Sequence, residues 1–322
     1  MEISIETNSY QLAQVFTISR GSRTQADVLT VTLSRGISKG RGECVPYARY
    51  GESMESVSVQ IQTLPQKFDR QSLMQLLPAG AARNAVDCAL WDLEAKEADC
   101  SAWELAGISL PKPVITAYTL SLDTPEKMNE QAAKNSFRPL LKTKLGGGDG
   151  DVDRIRAVRA GALNSRIIVD ANEGWTPELY EKLAPVLLGL GVEMVEQPFP
   201  AGKDDALLNL TRVLPVCADE SCHDRSSLAG LRGKYDMVNI KLDKTGGLTE
   251  ALDLKQAALD MNFDVMVGCM IGSSLAMAPA ILVAQGVSVV DLDGPLLLGE
   301  DRDHKLFYDA DGVHPARPEL WG

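Results

Sequence analysis

Acidic and basic residues recur at regular intervals in the second half of this 322-residue sequence. Asp170, Glu196 and Asp219 each follow a short apolar run, and Lys144 and Lys241 follow two more such runs. Successive members of the series are 22 to 26 residues apart, which corresponds to one strand and one helix of a repeating βα unit. We therefore expect the five side chains at the carboxyl ends of five parallel strands.

The three carboxylates suit a metal ion. Asp170, Glu196 and Asp219 fall on adjacent predicted strands, where their side chains can converge. Without a cation, such a cluster would repel itself and raise its own pKa values. A ligand set of oxygens alone, without His or Cys, favours Mg²⁺ completed by water and substrate oxygens. The sequence therefore predicts a Mg²⁺ site.

The lysines suit proton transfer next to that site. Lys144 and Lys241 belong to strands four positions apart, so in an eight-stranded ring they should face each other across the mouth. A substrate carboxylate on the metal would place its α-carbon between the two amines. Lys142 should share the face of Lys144, and its ammonium should lower a lysine pKa toward neutrality, as a general base requires. The alternative is a structural ion pair between these lysines and the acidic cluster.

Short apolar runs alternate with helical patterns from residue 113 onward, which predicts an α/β fold with parallel strands. Eight strands with seven intervening helices in roughly 180 residues favour a closed TIM barrel over an open doubly wound sheet. The Gly146-Gly147-Gly148 run lacks the order of a dinucleotide-binding loop and reads as a barrel loop. The expected strands are residues 114–120, 140–145, 166–171, 192–197, 215–220, 237–242, 263–268 and 287–292.

The first 110 residues have a different pattern. Alternating β-branched residues predict strands at 28–33 and 42–45, and an Ala-rich stripe predicts a helix at 79–96. Pro111 and Pro113 mark a boundary. We therefore expect a smaller α+β domain over residues 1–110, followed by the barrel domain over residues 111–298.

The composition of the chain argues against several classes of partner and location. The formal net charge of −12 argues against nucleic acid and anionic membrane surfaces as partners. No apolar run is long enough to span a membrane, and the N-terminus lacks the pattern of a signal peptide, so we expect a cytoplasmic protein. The six cysteines show no Cys-x-x-Cys pair and are expected to be reduced, mostly buried thiols.

Several motifs together resemble the muconate-lactonizing subgroup of the enolase superfamily, over essentially the whole chain. They are Gly42-Glu43-Cys44-Val45-Pro46, Arg83-Asn84-Ala85-Val86-Asp87, Lys142-Thr143-Lys144, Asp170-Ala171-Asn172, Val195-Glu196-Gln197-Pro198, Ala218-Asp219-Glu220-Ser221 and Asn239-Ile240-Lys241-Leu242. The resemblance implies a (β/α)7β modified TIM barrel with an α+β capping domain that the C-terminal segment 299–322 completes.

The same resemblance implies a role for each charged residue. Asp170, Glu196 and Asp219 would bind Mg²⁺, while Lys144 and Lys241 would act as acid and base on opposite faces of the substrate. Fixed positive charge would then stabilise the enediolate that forms when the proton beside a carboxylate leaves.

The predicted last strand indicates which substrate is used. It ends in Asp291-Leu292-Asp293, which resembles the Asp-x-Asp of dipeptide epimerases, where the pair holds the substrate's amine. By the same resemblance, Arg23 would pair with the distal carboxylate of a glutamyl residue, and Thr119 and Lys142 would also contact substrate. The implied substrate is a small anionic dipeptide such as L-Ala-D/L-Glu. Asp293 as a loop cap and Arg23 as a solvated cation are the plainer alternatives.

Other reactions remain open at the level of sequence. An o-succinylbenzoate synthase or an N-acylamino acid racemase of the same subgroup would use the same metal ligands and lysines, although an amine-free substrate leaves Asp291 and Asp293 without a task. A non-catalytic, metal-dependent binding protein is a further alternative. A homo-oligomer is compatible with the sequence.

Overall fold

The computed structural model describes residues 1–148 and 150–322. The chain begins with a three-stranded antiparallel sheet in the order β1–β2–β3. Its strands are Glu2–Ile18, Gly21–Arg35 and Ser38–Cys44. Four helices follow: α1 (Met54–Gln62), α2 (Arg70–Leu76), α3 (Ala81–Glu97) and α4 (Ala102–Leu105).

Helix α3 packs closely against β3 because two glycines leave room for its backbone. A Cβ added at Gly42 would lie 2.1 Å from Ala85 O, and one added at Gly40 would lie 2.2 Å from Ala89 O. The other side of the helix carries buried polar residues that face the barrel, among them Arg83. Helix α3 therefore lies between the N-terminal sheet and the barrel.

The second sheet has eight parallel strands in sequence order. They are β4 (Tyr118–Leu120), β5 (Leu140–Lys144), β6 (Arg166–Asp170), β7 (Val192–Glu196), β8 (Val216–Ala218), β9 (Met237–Ile240), β10 (Asp264–Val267) and β11 (Val289–Val290). The two edges of this sheet meet where the Ala117 N–H donates to Val290 O at 2.8 Å. The strands thus form a modified TIM barrel, as predicted.

The barrel interior is a packed core rather than a pore. One buried side chain from each of the eight strands, or from the residue just before a strand, fills it: Ala117, Leu140, Ile168, Met194, Cys217, Met237, Met266 and Val289. Polar side chains therefore gather at the carboxyl ends of the strands, above this apolar layer.

The helices around the barrel are α5 (Pro125–Lys134), α6 (Asp151–Gly161), α7 (Pro177–Gly189), α8 (Leu228–Leu231), α9 (Leu242–Thr245), α10 (Leu248–Asp260) and α11 (Ser274–Val283).

The expectation of a helix between every pair of consecutive barrel strands was wrong between β7 and β8. Residues 197–215, all of them described, hold only the 3-10 turn Asp205–Leu208. Pro198, Pro200 and Gly202 account for this, because proline cannot continue a helix and glycine weakens one.

The C-terminal segment returns to the N-terminal sheet and to α3. Gly299 N–H donates to Gln11 O at 2.7 Å, and the Trp321 indole donates to Cys88 O at 2.9 Å. Two short strands, β12 (Tyr308–Asp309) and β13 (Gly312–Val313), form a hairpin on the way. No helix in residues 1–148 and 150–322 is long and apolar enough to cross a membrane.

Candidate active site

A cavity of roughly 490 Å³ opens at the carboxyl ends of the barrel strands. Its floor includes Lys142, Lys144, Asp219 and Lys241, and its outer wall includes Arg23 from the N-terminal sheet. Parallel strands place their carboxyl ends at one mouth, so residues far apart in sequence meet there. Such a pocket between a barrel and a second domain is the usual position of a small-molecule site.

The predicted acidic triad is buried on adjacent strands. Asp170 and Glu196 are the last residues of β6 and β7 and pair in register, and Asp219 follows β8 directly. All three residues are 2% exposed or less. The structure therefore places them on neighbouring strands at one mouth of the barrel, while their convergence on a metal ion stays a prediction.

Each carboxylate of the triad lies against a lysine. Lys144 Nζ is 2.5 Å from Asp170 Oδ2, and Lys241 Nζ is 2.6 Å from Asp219 Oδ2. Lys142 Nζ is 2.7 Å from Glu196 Oε2. The two outer lysines belong to β5 and the end of β9, four strands apart, and both line the cavity.

The expected lowering of a lysine pKa is not what this charge arrangement produces. Lys142 lies among carboxylates, at 2.7 Å from both Glu196 and Asp291. Burial would lower the pKa of Lys142, but these carboxylates hold it well above its usual value. Burial and the Lys142 ammonium both lower the pKa of Lys241, but the closer Asp219 outweighs them and raises it. The carboxylates determine the direction of both pKa shifts because they lie in direct contact with these ammonium groups.

The carboxylates themselves have unequal environments. Burial would raise the pKa of Asp170, but Lys144 and Lys142 outweigh it and hold the value at about 2. Glu196 has the opposite balance: burial and repulsion from Asp170 raise its pKa to about 7. Its Oε2 lies 2.7 Å from Lys142 Nζ, but that ammonium does not offset these two effects. The centre of the triad is therefore short of positive charge.

The residues fit a divalent cation. Buried carboxylates outnumber buried lysines six to four in and just below the cavity; they are Asp170, Glu196, Asp219, Glu220, Asp291 and Asp293 against Lys142, Lys144, Lys241 and Lys244. Oxygen ligands suit Mg²⁺. Within residues 1–148 and 150–322, no three acidic, His or Cys side chains already converge on one point as metal ligands.

A second acidic pair follows β11. Asp291 Oδ2 is 2.7 Å from Lys142 Nζ, and Asp293 Oδ2 accepts the backbone N–H of Thr119 at 2.6 Å. Burial and the charge of Asp291 raise the pKa of Asp293 to about 7. All four residues line the cavity, so the structure brings the predicted strand-eight pair, Thr119 and Lys142 together.

The arginine predicted to bind substrate lies at the start of a strand. Arg23 is the third residue of β2, and its guanidinium lies 4.8 Å from the ring centre of Tyr47. In the described part of the chain the Tyr47 ring is the only partner of this guanidinium group. Because β1 and β2 join in a tight turn, the start of β2 forms part of the cavity wall.

Arg20, which sequence reasoning did not single out, reaches deeper. Its guanidinium donates to Asn172 O at 2.7 Å and pairs with Glu173 and Glu220. Lys244 was also missed: its Nζ contacts both Asp219 O and Asp219 Oδ1 at 2.6 Å. Its position three residues after Lys241, on one helical turn, was the available signal.

Comparison with known proteins gives the same assignment for both parts of the chain. Residues 1–107 match the mandelate racemase / muconate lactonizing enzyme N-terminal domain, and residues 126–315 match the enolase C-terminal domain-like family. The L-Ala-D/L-Glu epimerase of Escherichia coli K12 is 45% identical, covering 97% of this chain and 99% of its own. An N-acetyl-D-glutamate racemase from a Pseudoalteromonas species is 47% identical, covering 88% and 91%.

Solved structures agree. An enolase family member from Agrobacterium tumefaciens with homology to dipeptide epimerases, holding sodium and L-Ala-L-Glu with an ordered loop, has a TM-score of 0.97 and 52% identity over 99% of both chains. A dipeptide epimerase from Cytophaga hutchinsonii complexed with Mg and D-Ala-L-Val has a TM-score of 0.91 and 27% identity, covering 98% and 94%. The chain belongs to the enolase superfamily, with the mandelate racemases and muconate lactonizing enzymes.

Proposed function

We propose that this protein is a Mg²⁺-dependent dipeptide epimerase that inverts the α-carbon of the C-terminal residue, with L-Ala-D/L-Glu as the substrate. The observation that carries the proposal is the arrangement of Lys144 and Lys241 on opposite sides of a buried acidic triad. The E. coli and A. tumefaciens relatives support the substrate class.

Each lysine serves one face of the α-carbon. Lys144 and Lys241 lie on strands four positions apart, so an α-carbon between them presents one face to each amine. One amine removes the proton and the ammonium opposite returns another, which inverts the centre. Asp170, Glu196 and Asp219 would hold Mg²⁺, which when bound supplies fixed positive charge against the negative charge that develops on the substrate carboxylate.

The remaining residues select the substrate. Asp291 and Asp293 offer buried negative charge to the dipeptide's ammonium group, next to Thr119. Arg23, which has no carboxylate partner in the described residues, is free to pair with the distal carboxylate of glutamate. A substrate of this kind is consistent with a cytoplasmic location.

A second candidate is racemisation of an N-acylated glutamate, because the Pseudoalteromonas racemase is as similar as the E. coli epimerase. The acidic pair favours the dipeptide. An N-acyl group carries no positive charge, so Asp291 would have only Lys142 as a cation and Asp293 would remain buried without an ion-pair partner.

Solvent exchange in D₂O tests the function directly. L-Ala-L-Glu, L-Ala-D-Glu and N-acetyl-D-glutamate are each incubated with the Mg²⁺-loaded protein, and deuterium at the α-carbon is followed by mass. We expect both dipeptides to exchange and interconvert. Lys144→Ala and Lys241→Ala should each abolish interconversion and each retain exchange of a different epimer.

Two results would change the assignment. Exchange of N-acetyl-D-glutamate without exchange of either dipeptide selects the second candidate. Full interconversion by either lysine variant would exclude a mechanism with one lysine on each face.

A further inference from the structure

The two lysines are held in different ways by the fold. Lys144 is the last residue of β5 and pairs in register with Asp170 of β6, so the sheet itself fixes its backbone. Lys241 lies one residue beyond the end of β9, outside the strand pairing. Lys241 has an extended backbone and directly precedes α9, which is a single helical turn. The position of Lys241 therefore depends on what holds α9.

The N-terminal end of that turn is bound to the barrel. Lys241 O accepts the backbone N–H groups of Lys244 and Thr245 at 2.9 and 3.0 Å. The Lys244 side chain reaches back to Asp219 and to Asn239 O. These contacts tie the turn to β8 and β9 on its inner side.

The middle of the turn is bound to helix α3. Asp243 Oδ1 accepts the Asn84 side-chain N–H at 2.8 Å and the Val45 backbone N–H at 3.0 Å. All three residues are buried, with Asn84 2% exposed and Asp243 8% exposed. Val45 begins the segment that leads to Tyr47 in the cavity wall. One carboxylate oxygen thus joins the helix, the cavity wall and the turn behind Lys241.

The C-terminal end of the turn is also bound to α3. The Arg83 guanidinium donates to Thr245 O at 2.7 Å and to Gly246 O at 3.1 Å, which satisfies carbonyls that a helix end leaves free. Gly246 and Gly247 have φ values of +79° and +115°. A Cβ at either would lie within 2.5 Å of Arg83 or Asp87 atoms. The turn is therefore shaped to fit α3.

We propose that Asn84 and Asp243 are positioning residues for Lys241, so that helix α3 controls proton transfer on one face of the substrate and not on the other. This inference rests on the proposed function. It follows from the asymmetry in support: removing a contact behind α9 shifts Lys241, while Lys144 keeps its strand. A displacement of about 1 Å at a reacting group reduces a rate by on the order of a hundredfold.

The test uses Asn84→Ala and Asp243→Ala in the full-length, Mg²⁺-loaded protein. Exchange of the α-proton in D₂O is measured separately for L-Ala-L-Glu and L-Ala-D-Glu. The variants Lys144→Ala and Lys241→Ala identify which epimer each lysine deprotonates. The quantity compared is the ratio of the two exchange rates, because loss of folded protein lowers both rates equally.

We expect exchange of the Lys241-side epimer to fall by about ten- to a hundredfold in both variants, with less than about a threefold change for the Lys144-side epimer. Asp243→Asn keeps an acceptor oxygen for both donors and should recover most of the lost rate. Thr249→Val is the matched control. Thr249 lies on α10, and its Oγ1 donates to Asp87 of helix α3 at 2.6 Å. The variant removes this other contact of α3 and should leave the ratio of the two exchange rates unchanged.

The outcomes separate the two proposals. If the unmodified protein exchanges neither epimer, the proposed function fails. If it exchanges both, and Asn84→Ala lowers both rates equally or neither, the positioning role is wrong. Should Asp243→Ala not fold, Asn84→Ala decides the question alone, because it removes one of the two hydrogen bonds and leaves the carboxylate.

Discussion

Two arginines from the N-terminal sheet, Arg20 and Arg23, differ in what surrounds their guanidinium groups. Arg20 pairs with Glu173 and Glu220; burial would lower its pKa, but Glu220 outweighs burial and raises it. Arg23 rests on the Tyr47 ring and has no acidic partner in the described residues. At the scale of single residues, an unpaired cation in a cavity wall is the better candidate for recognising a substrate carboxylate.

Arg23→Ala should reduce kcat/KM for L-Ala-L-Glu by about ten- to a hundredfold. A charge-assisted hydrogen bond contributes on the order of 1.5–3 kcal/mol, and about 1.4 kcal/mol corresponds to a tenfold change in rate. A dipeptide with an apolar second residue has no distal carboxylate, so its kcat/KM should change little. Steady-state kinetics with both substrates provides the measurement. A loss specific to the glutamyl dipeptide in Arg20→Ala, and absent from Arg23→Ala, would assign recognition to Arg20 instead.

Helix α3 is the element that joins the two parts of the molecule. One side packs on β3 through Gly40 and Gly42, and the other side holds α9 and the start of α10. Asp87 accepts the Thr249 backbone N–H at the beginning of α10. Helix α3 therefore connects the N-terminal sheet with the segment that follows Lys241.

Gly42→Ala should lower the free energy of unfolding by about 1–3 kcal/mol, because the new methyl group would overlap Ala85 O and force β3 away from α3. Urea denaturation followed by circular dichroism gives the value. Gly189→Ala, on helix α7, is the matched control. Nothing lies within 4 Å of its added Cβ, so stability should be unchanged or slightly higher. Equal stability of the two variants would mean that β3 and α3 adjust without cost.

The whole molecule carries a net charge of −12, and six of its buried acidic residues lie at one end of the barrel. Buried carboxylates without enough positive charge oppose folding. Glu196 is one example, because burial and repulsion from Asp170 raise its pKa to about 7. A divalent cation at the triad would therefore stabilise the folded protein as well as serve the reaction.

Removing metal with excess chelator should abolish epimerisation, and Mg²⁺ or Mn²⁺ should restore it. Because a ligand that binds only the folded state stabilises it, Mg²⁺ at a hundred times its Kd should add about 2.7 kcal/mol and raise Tm. Asp170→Asn should lose most of that increase. Activity that persists in excess chelator, together with a Tm independent of Mg²⁺, would contradict the metal site.

The sequence by itself determined the order of the barrel strands and the constellation at their ends. Asp170, Glu196, Asp219, Lys144 and Lys241 could be placed because parallel strands in consecutive βα units bring equivalent positions to one mouth. Spacing along the chain is sufficient for that inference. It also overestimated helix content between β7 and β8, where prolines override the repeat.

The tertiary structure decided which of these groups touch one another. Lys142 lies among the carboxylates instead of acting as a free charge beside Lys144, and Arg20 rather than Arg23 reaches the barrel. The hydrogen bond between Asn84 and Asp243 connects two residues that are 159 positions apart in the sequence. Ion pairs and buried hydrogen bonds of this kind depend on side-chain distances of a few ångströms across the fold, and the periodicity of a sequence carries no information about them.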